Sequence, residues 1–386
     1  MYKQAMHPLE VVRSSLANWS DAELGALGVG MHMAAADCAQ TKPELYKGDD
    51  LFNLARLCAF GQDWNGANTA AQGYLASHEE EHRAQAYAVS VSALFHIGAV
   101  DLAVQTAREM LQGLPYDAEV AYALRDLKNS LVQASNLTAL QLAAEEHPKI
   151  LAALTQGVPL KATHGDAVIS VDALYESAMQ LAFLERFMGS DEAATATAAE
   201  VEGALPTTAT LTAEEQQRVD AVASRYRLLG ERLPKIHILR ALESHNAQAQ
   251  IDSNFGSATV LVLFPDWCVE CRNMMKTLTQ FAVANRTTPI HTYGLVFADD
   301  TVVEGQPAHE AYFKQLAGTQ TLVVPDTTAQ MLGATDYPLG IVLDSSGTVR
   351  FIGVLPADAF NGDGYVSKAI VSMLQVQHEK ASASRN

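Results

Sequence analysis

"FPDWCVEC", residues 264–271, sets two cysteines two residues apart, behind a tryptophan and at the end of an apolar run. Such a pair can be a redox site, half of a metal site, or two ordinary core thiols. The flanks separate these readings. "TVLVLF" (259–264) is a short run of β-forming apolar residues, fit for a central strand buried on both faces. "RNMMKTLTQFAVA" (272–284) has helical spacing. The pair therefore falls where a buried strand passes into a helix. There a thiol meets the positive end of the macrodipole and unpaired N–H groups, which favour thiolate. Cys268, the more exposed position, is the expected nucleophile, and Cys271, one turn inside the helix, is expected to resolve a mixed disulfide.

The chain beyond it alternates. "IHTYGLVF" (290–297) and "TLVVPD" (321–326) read as strands, and "AHEAYFKQLAG" (308–318) as a helix. "LGIVLDSSGTVRFIGVL" (339–355) reads as a hairpin turning at Asp344–Gly347, and "YVSKAIVSMLQ" (365–375) as a closing helix. This is an α/β pattern, a sheet covered on both faces. The tail, 379–386, has the composition of a disordered end.

"VLVLFPDWCVECRNMM" resembles the active-site strand and helix of the thioredoxin superfamily. "DWCVEC" is similar to the thioredoxin-like domain of transmembrane reductant carriers, and "MLGATDYPLGIVLDSSGTVRFIGVL" to the periplasmic, cytochrome-maturation type of thiol–disulfide oxidoreductase. The resemblance covers about residues 235–378. It implies a cis peptide at Tyr337–Pro338 beside the cysteines, with Trp267 as part of the same site. Three positions depart from the family. The aspartate often found six residues before the first cysteine is Val262, the glutamate three after the second is Met274, and the helix-kinking proline two residues later is Lys276. No internal base for Cys271 is evident. Asp266 and Glu270 add negative charge around Cys268, which opposes the thiolate.

The other chemistries are weaker. A structural zinc site needs four ligands, and His291 and His309 lie outside zinc-type spacing, so no metal or other cofactor is expected. Cys38 and Cys58, twenty residues apart, read as buried small hydrophobes rather than a bridge. "MHM" (31–33) offers soft ligands of the kind copper takes, but methionines on a helix face account for it.

The first half reads as helix after helix. Ala67, Ala103 and Ala139 are 36 residues apart, and Ala71, Ala107 and Ala143 repeat the interval. Each pair spans one helical turn, so both alanines share a face where a neighbouring helix can approach. "AYAVSVSALFHIGAVDLAVQTAREMLQGLP" (86–115) resembles the tetratricopeptide repeat, a helix–turn–helix unit of about 34 residues. The repeats are clearest over 45–150. Pro115 and Pro148 read as stops after the second and third of these helices. Thr212 and Glu215 form a capping box that opens a later helix. The expected organisation is multidomain α and α/β: a helical, repeat-like domain at 1–234, then a thioredoxin-like domain at 235–378.

The 386 residues carry a formal charge of −18, which repels phosphate backbones and anionic lipid surfaces. No nucleic acid or membrane partner is expected. "MYKQAMHPLEVVRSS" lacks the pattern of a secretory leader, so the chain reads as cytoplasmic if Met1 is its true start and periplasmic or secreted if a leader was removed. Two functions follow. One is a thiol–disulfide oxidoreductase whose helical array recruits protein clients. The other is an interaction scaffold whose thioredoxin-like domain has little chemistry, since stacked helical repeats bind rather than catalyse.

Overall fold

The computed structural model describes residues 2–15, 21–134, 136–205, 211–242, 251, 258–266, 268–284, 290–297, 319–355, 359–360, 366–367 and 370. The chain divides into two compact units. Met1–Leu131, Thr138–Ala153 and Pro159–Ser170 form the first; Val132–Leu137, Leu154–Val158 and Val171–Asn386 form the second.

Helices come first: α1 (Tyr2–Ser15), α2 (Asp21–Gln40), α3 (Gly48–Phe60), α4 (Trp64–Ala76), α5 (Arg83–His96), α6 (Val100–Gly113), α7 (Ala118–Ala134) and α8 (Asn136–Leu154). A small hairpin, β1 (Leu160–Lys161) and β2 (Val168–Ile169), follows. The six spaced alanines lie on α4, α6 and α8, each at 2% exposure or less. Polar ties hold the later helices together. On the surface, the Arg108 guanidinium donates to both oxygens of Glu145 at 2.7 and 2.8 Å, joining α6 to α8. In the interior Lys128 Nζ lies 2.6 Å from Glu146 Oε2, and Tyr116 donates to Glu146 Oε1 at 2.8 Å. Both members of that ion pair are buried, so each charge depends on the other.

Two sequence readings are corrected here. Pro148 does not end its helix; α8 runs through it to Leu154. A proline removes one N–H bond but does not prevent the next turn, and Ile150, Ala153 and Leu154 bury their side chains by continuing it. Cys38 and Cys58 are not separate core thiols but a disulfide. The linker after α2 lets the last turn of α3 come to rest against α2. Gly61, at the end of α3, has no room for a Cβ because the backbone of Ala34 and Ala35 lies there.

The second unit begins with α9 (Val171–Phe187), α10 (Asp191–Ala204) and α11 (Ala213–Arg227). Thr212 opens α11 with both bonds of a capping box: its hydroxyl accepts from Glu215 N–H and the Glu215 carboxylate accepts from Thr212 N–H. The sheet contains β3 (Arg240–Ala241), β4 (Ala258–Pro265), β5 (Ile290–Phe297), β6 (Gln320–Val324), β7 (Leu339–Leu343) and β8 (Val349–Val354), in the order β3-β6-β5-β4-β7-β8. β4–β5 and β5–β6 are parallel, and the other pairs antiparallel. Two further helices are α12 (Val269–Ala284) and α13 (Asp326–Met331).

Every residue of β4 is buried, which explains its unbroken apolar sequence. Side chains alternate between faces. Val260, Val262 and Phe264 join one core with Met275 and Leu278 of α12; Leu261 and Leu263 join a second with Leu295, Leu322 and Ile341. Phe183 of α9 packs against both cores and meets the Phe351 ring edge-on at 5.7 Å, so this helix belongs to the unit that holds the sheet. At the β7–β8 turn, Asp344 accepts from the N–H groups of Ser346 and Thr348 and from Arg350. Burial raises its pKa, but these bonds outweigh burial and hold the carboxyl below its ordinary value. The expected helix at 308–318 and the tail lie outside the described residues, as does most of 365–375.

Cys38→Ser is expected to lower the unfolding free energy by about 3 kcal/mol, the loop-closure value for roughly twenty residues. Urea unfolding of oxidised wild type against the variant measures it. An unchanged midpoint overturns the bridge as a constraint.

Candidate active site

The site grows from the end of β4. Because β4 is covered on both faces and paired on both edges, its backbone must find new partners as it leaves the sheet. Asp266 N–H donates to Phe297 O at 3.3 Å, and Cys268 N–H donates to Pro265 O at 3.1 Å. The chain turns at once into α12. Cys268 immediately precedes that helix, and Cys271 lies in its first turn.

The two sulfurs form a disulfide, with Cα atoms 5.3 Å apart. Cys271 N–H donates to Cys268 Sγ at 3.2 Å, so a helix-start N–H points at that sulfur. Cys268 keeps 9% of its surface and Cys271 none. Their surroundings are apolar: Val262, Phe264, Met274 and Met275 belong to the same core. Val262 and Met274, the two departures that matter most for proton movement, are buried in that core and contribute no carboxylate. Lys276 is exposed on α12.

The second strand end brings the other residues. The Tyr337–Pro338 peptide is cis, directly before β7. Leu339 pairs with Leu263, so this loop and the end of β4 lie at the same edge. Tyr337 packs, partly buried, against the core that holds both cysteines. Its ring lies 5.1 Å from that of Phe297. Burial raises the Tyr337 hydroxyl's pKa, and Asp326 and Asp336 raise it further. Trp267 and the side chain of Glu270 lie outside the described residues; Asp266 is half-buried.

Sequence reading overlooked Phe297. Its only signal is an aromatic residue closing a strand, and strand pairing, not spacing, brings it to Tyr337. Among the described residues, Asp49, Glu81 and His82 of the helical unit bring ligand-type atoms within 4.8 Å of one another. His82 Nε2 is 3.7 Å from Asp49 Oδ1, an ion pair when the imidazole is protonated. His291 lies on β5, and His309 is outside the described residues. No helix among the described residues is long and apolar enough to cross a membrane.

The disulfide thus stands where β4 passes into α12, at the same end of the mixed sheet as the cis Tyr337–Pro338 peptide. No protein-family model matches the chain, and no curated protein matches it. Solved structures do. A thioredoxin-like protein from Bacteroides caccae is 10% identical, covering 80% of this chain and 92% of its own, with a TM-score of 0.32. The thioredoxin domain of a thiol-disulfide oxidoreductase from Bacteroides vulgatus is 14% identical, covering 36% of this chain and 99% of its own, with a TM-score of 0.27. A secreted disulfide oxidoreductase from Mycobacterium tuberculosis is 18% identical, covering 31% and 84%, with a TM-score of 0.24.

Gly294 of β5 lets α12 lie close to the sheet. A Cβ there would sit 2.8 Å from Met275 Cε, one turn beyond Cys271. Gly294→Val should therefore overpack the helix that carries the site and cost about 1–3 kcal/mol. Gly294→Ala should cost less, because the end of Met275 can swing aside. Equal stability of wild type and the valine variant in urea refutes the close approach.

Proposed function

We propose that the chain is a thiol–disulfide oxidoreductase that works through Cys268 and Cys271. The observation that carries this reading is the disulfide at the start of α12, with a helix N–H on the Cys268 sulfur. In the oxidising direction a client thiolate attacks Cys268 Sγ. The Cys268–Cys271 bond breaks, and Cys271 leaves as a thiolate that takes up a proton. A second client thiol, losing its proton, displaces Cys268. Two electrons thereby pass to the protein dithiol. In the reducing direction Cys268 thiolate attacks a client disulfide, and Cys271 resolves the mixed disulfide. Tyr337 and Pro338 contribute to the surface around the reacting sulfur, Trp267 adjoins it in sequence, and Asp266 and Glu270 modulate its charge. The helical unit recruits or orients the protein client.

One observation favours the scaffold reading. Val262 and Met274 stand where the resemblance expects carboxylates, so neither position can move the proton of Cys271. Turnover of insulin disulfides by dithiothreitol decides between the two. The full chain should accelerate insulin precipitation, and Cys268→Ser should remove the acceleration. A wild-type rate equal to buffer alone overturns the oxidoreductase.

The redox character follows from two opposing fields. The start of α12 lowers the Cys268 pKa from its reference near 8.5, while Asp266 and Glu270 raise it. Val269 and Glu270, between the cysteines, supply no donor of the kind that strongly stabilises a thiolate. The couple should lie nearer about −270 mV than about −120 mV. Glu270→Gln should lower the thiolate pKa and make the couple more oxidising. Thiolate absorbance against pH, with equilibration in glutathione buffers, reads both; a Cys268 pKa below about 5 contradicts this account.

A further inference from the structure

The strand register sets several acidic and aromatic residues at the end of the sheet that carries the disulfide. Pro265 pairs with Phe297, and Phe297 pairs with Val324, so the parallel strands β4, β5 and β6 end in one row. β7 runs the other way, and its first residue, Leu339, pairs with Leu263. The same edge therefore carries the residues just past three strand ends and just before a fourth. These are Asp266 and Cys268, Phe297, Asp326 at the start of α13, and Asp336 with Tyr337. Asp326 and Asp336 are exposed, and both act electrostatically on the Tyr337 hydroxyl. Among the described residues 264–266, 268, 297, 324–328 and 334–338 there is no lysine or arginine; the first bases beyond Cys271 are Arg272 and Lys276 of α12.

We propose that this edge selects client segments that carry lysine or arginine beside the reacting cysteine. The inference rests on the oxidoreductase reading and names its substrate class. Thiol–disulfide exchange brings a negative sulfur, as attacking or leaving group, close to an edge already rich in carboxylates. A neutral or acidic client meets repulsion there. A client cation cancels it, and steers the encounter because opposite potentials attract before contact. Tyr337 and Phe297 supply the second contact, since the ring pair offers aromatic surface to which a guanidinium or ammonium is drawn.

The test uses the pre-reduced full chain and two peptide disulfide dimers of one sequence, differing only in Lys-Cys-Lys against Glu-Cys-Glu. Each turnover oxidises the protein dithiol and releases two peptide thiols: two electrons pass to the peptide disulfide, and the two thiol protons end on the peptide sulfurs. Quenched mass spectrometry follows the peptides, and each rate is divided by that of dithiothreitol on the same dimer to remove intrinsic reactivity. At low salt the lysine dimer should react about tenfold faster, and the ratio should fall toward one in 1 M salt, where screening shrinks to about 3 Å. Asp336→Asn should reduce the ratio of lysine-dimer to glutamate-dimer rates by about twofold. Equal normalised rates, or a faster acidic dimer, overturn the selection and leave the oxidoreductase standing. No exchange with any dimer overturns both.

Discussion

A strand buried on both faces and paired on both edges must end abruptly, and β4 is such a strand. All eight of its residues are buried, and β5 and β7 take its hydrogen bonds on either side. When it leaves the sheet, its next N–H groups have to be satisfied within one or two residues. The Phe297 carbonyl takes one, the Pro265 carbonyl another, and α12 begins. That turn fixes where Cys268 stands and aims the Cys271 N–H at its sulfur. Parallel pairing with β5 then brings Phe297 alongside, and antiparallel pairing with β7 brings the Tyr337–Pro338 loop. The arrangement around the disulfide is a consequence of which strands flank β4.

This also explains what the sequence disclosed. Strands β4 to β8 were legible because they are short, apolar and bounded by turn residues; β3, two residues long, left no such signal. β5 falls at 290–297 in both readings, and the Asp344–Gly347 turn lies where the hairpin pattern puts it. Periodicity is local, and these features are local. Features made by distant segments were illegible for the same reason. The Cys38–Cys58 bridge depends on the path of the chain between α2 and α3, and no spacing rule specifies that path. Phe297 gains meaning only through the register that carries its ring to Tyr337. Pro148 misled because proline marks a helix end by tendency, while burial of Ile150, Ala153 and Leu154 decides whether the helix goes on.

Electrostatics at the strand ends pull in two directions. A helix start favours negative charge on the first sulfur, and the aspartates at the same edge oppose it. A site arranged only for a reactive thiolate would have no use for Asp266 or Asp336. In the proposed encounter with a basic client the same carboxylates change sign of effect, because they attract its cations. A cost to the free thiolate is thus compatible with a gain in the encounter, and the balance depends on salt, since exposed pairs are screened within about 10 Å at 0.1 M.

The two disulfides differ in a way that burial does not reveal. Cys38, Cys58, Cys268 and Cys271 all keep less than a tenth of their surface, at 5%, 2%, 9% and 0%. Loop size separates them instead. Cys38–Cys58 spans a sequence separation of 20 and ties the ends of two helices, so opening it releases the chain to many more unfolded arrangements, about 3 kcal/mol by the loop-entropy relation. Cys268–Cys271 spans a separation of three, for which the same relation gives about 2 kcal/mol. Much of even that smaller constraint is supplied anyway by α12, whose backbone bonds hold Cys271 in place whether or not the sulfurs are joined. The first bridge belongs to the stability of the helical unit. Opening the second would free little of a chain that α12 already holds, as the proposed exchange reaction requires.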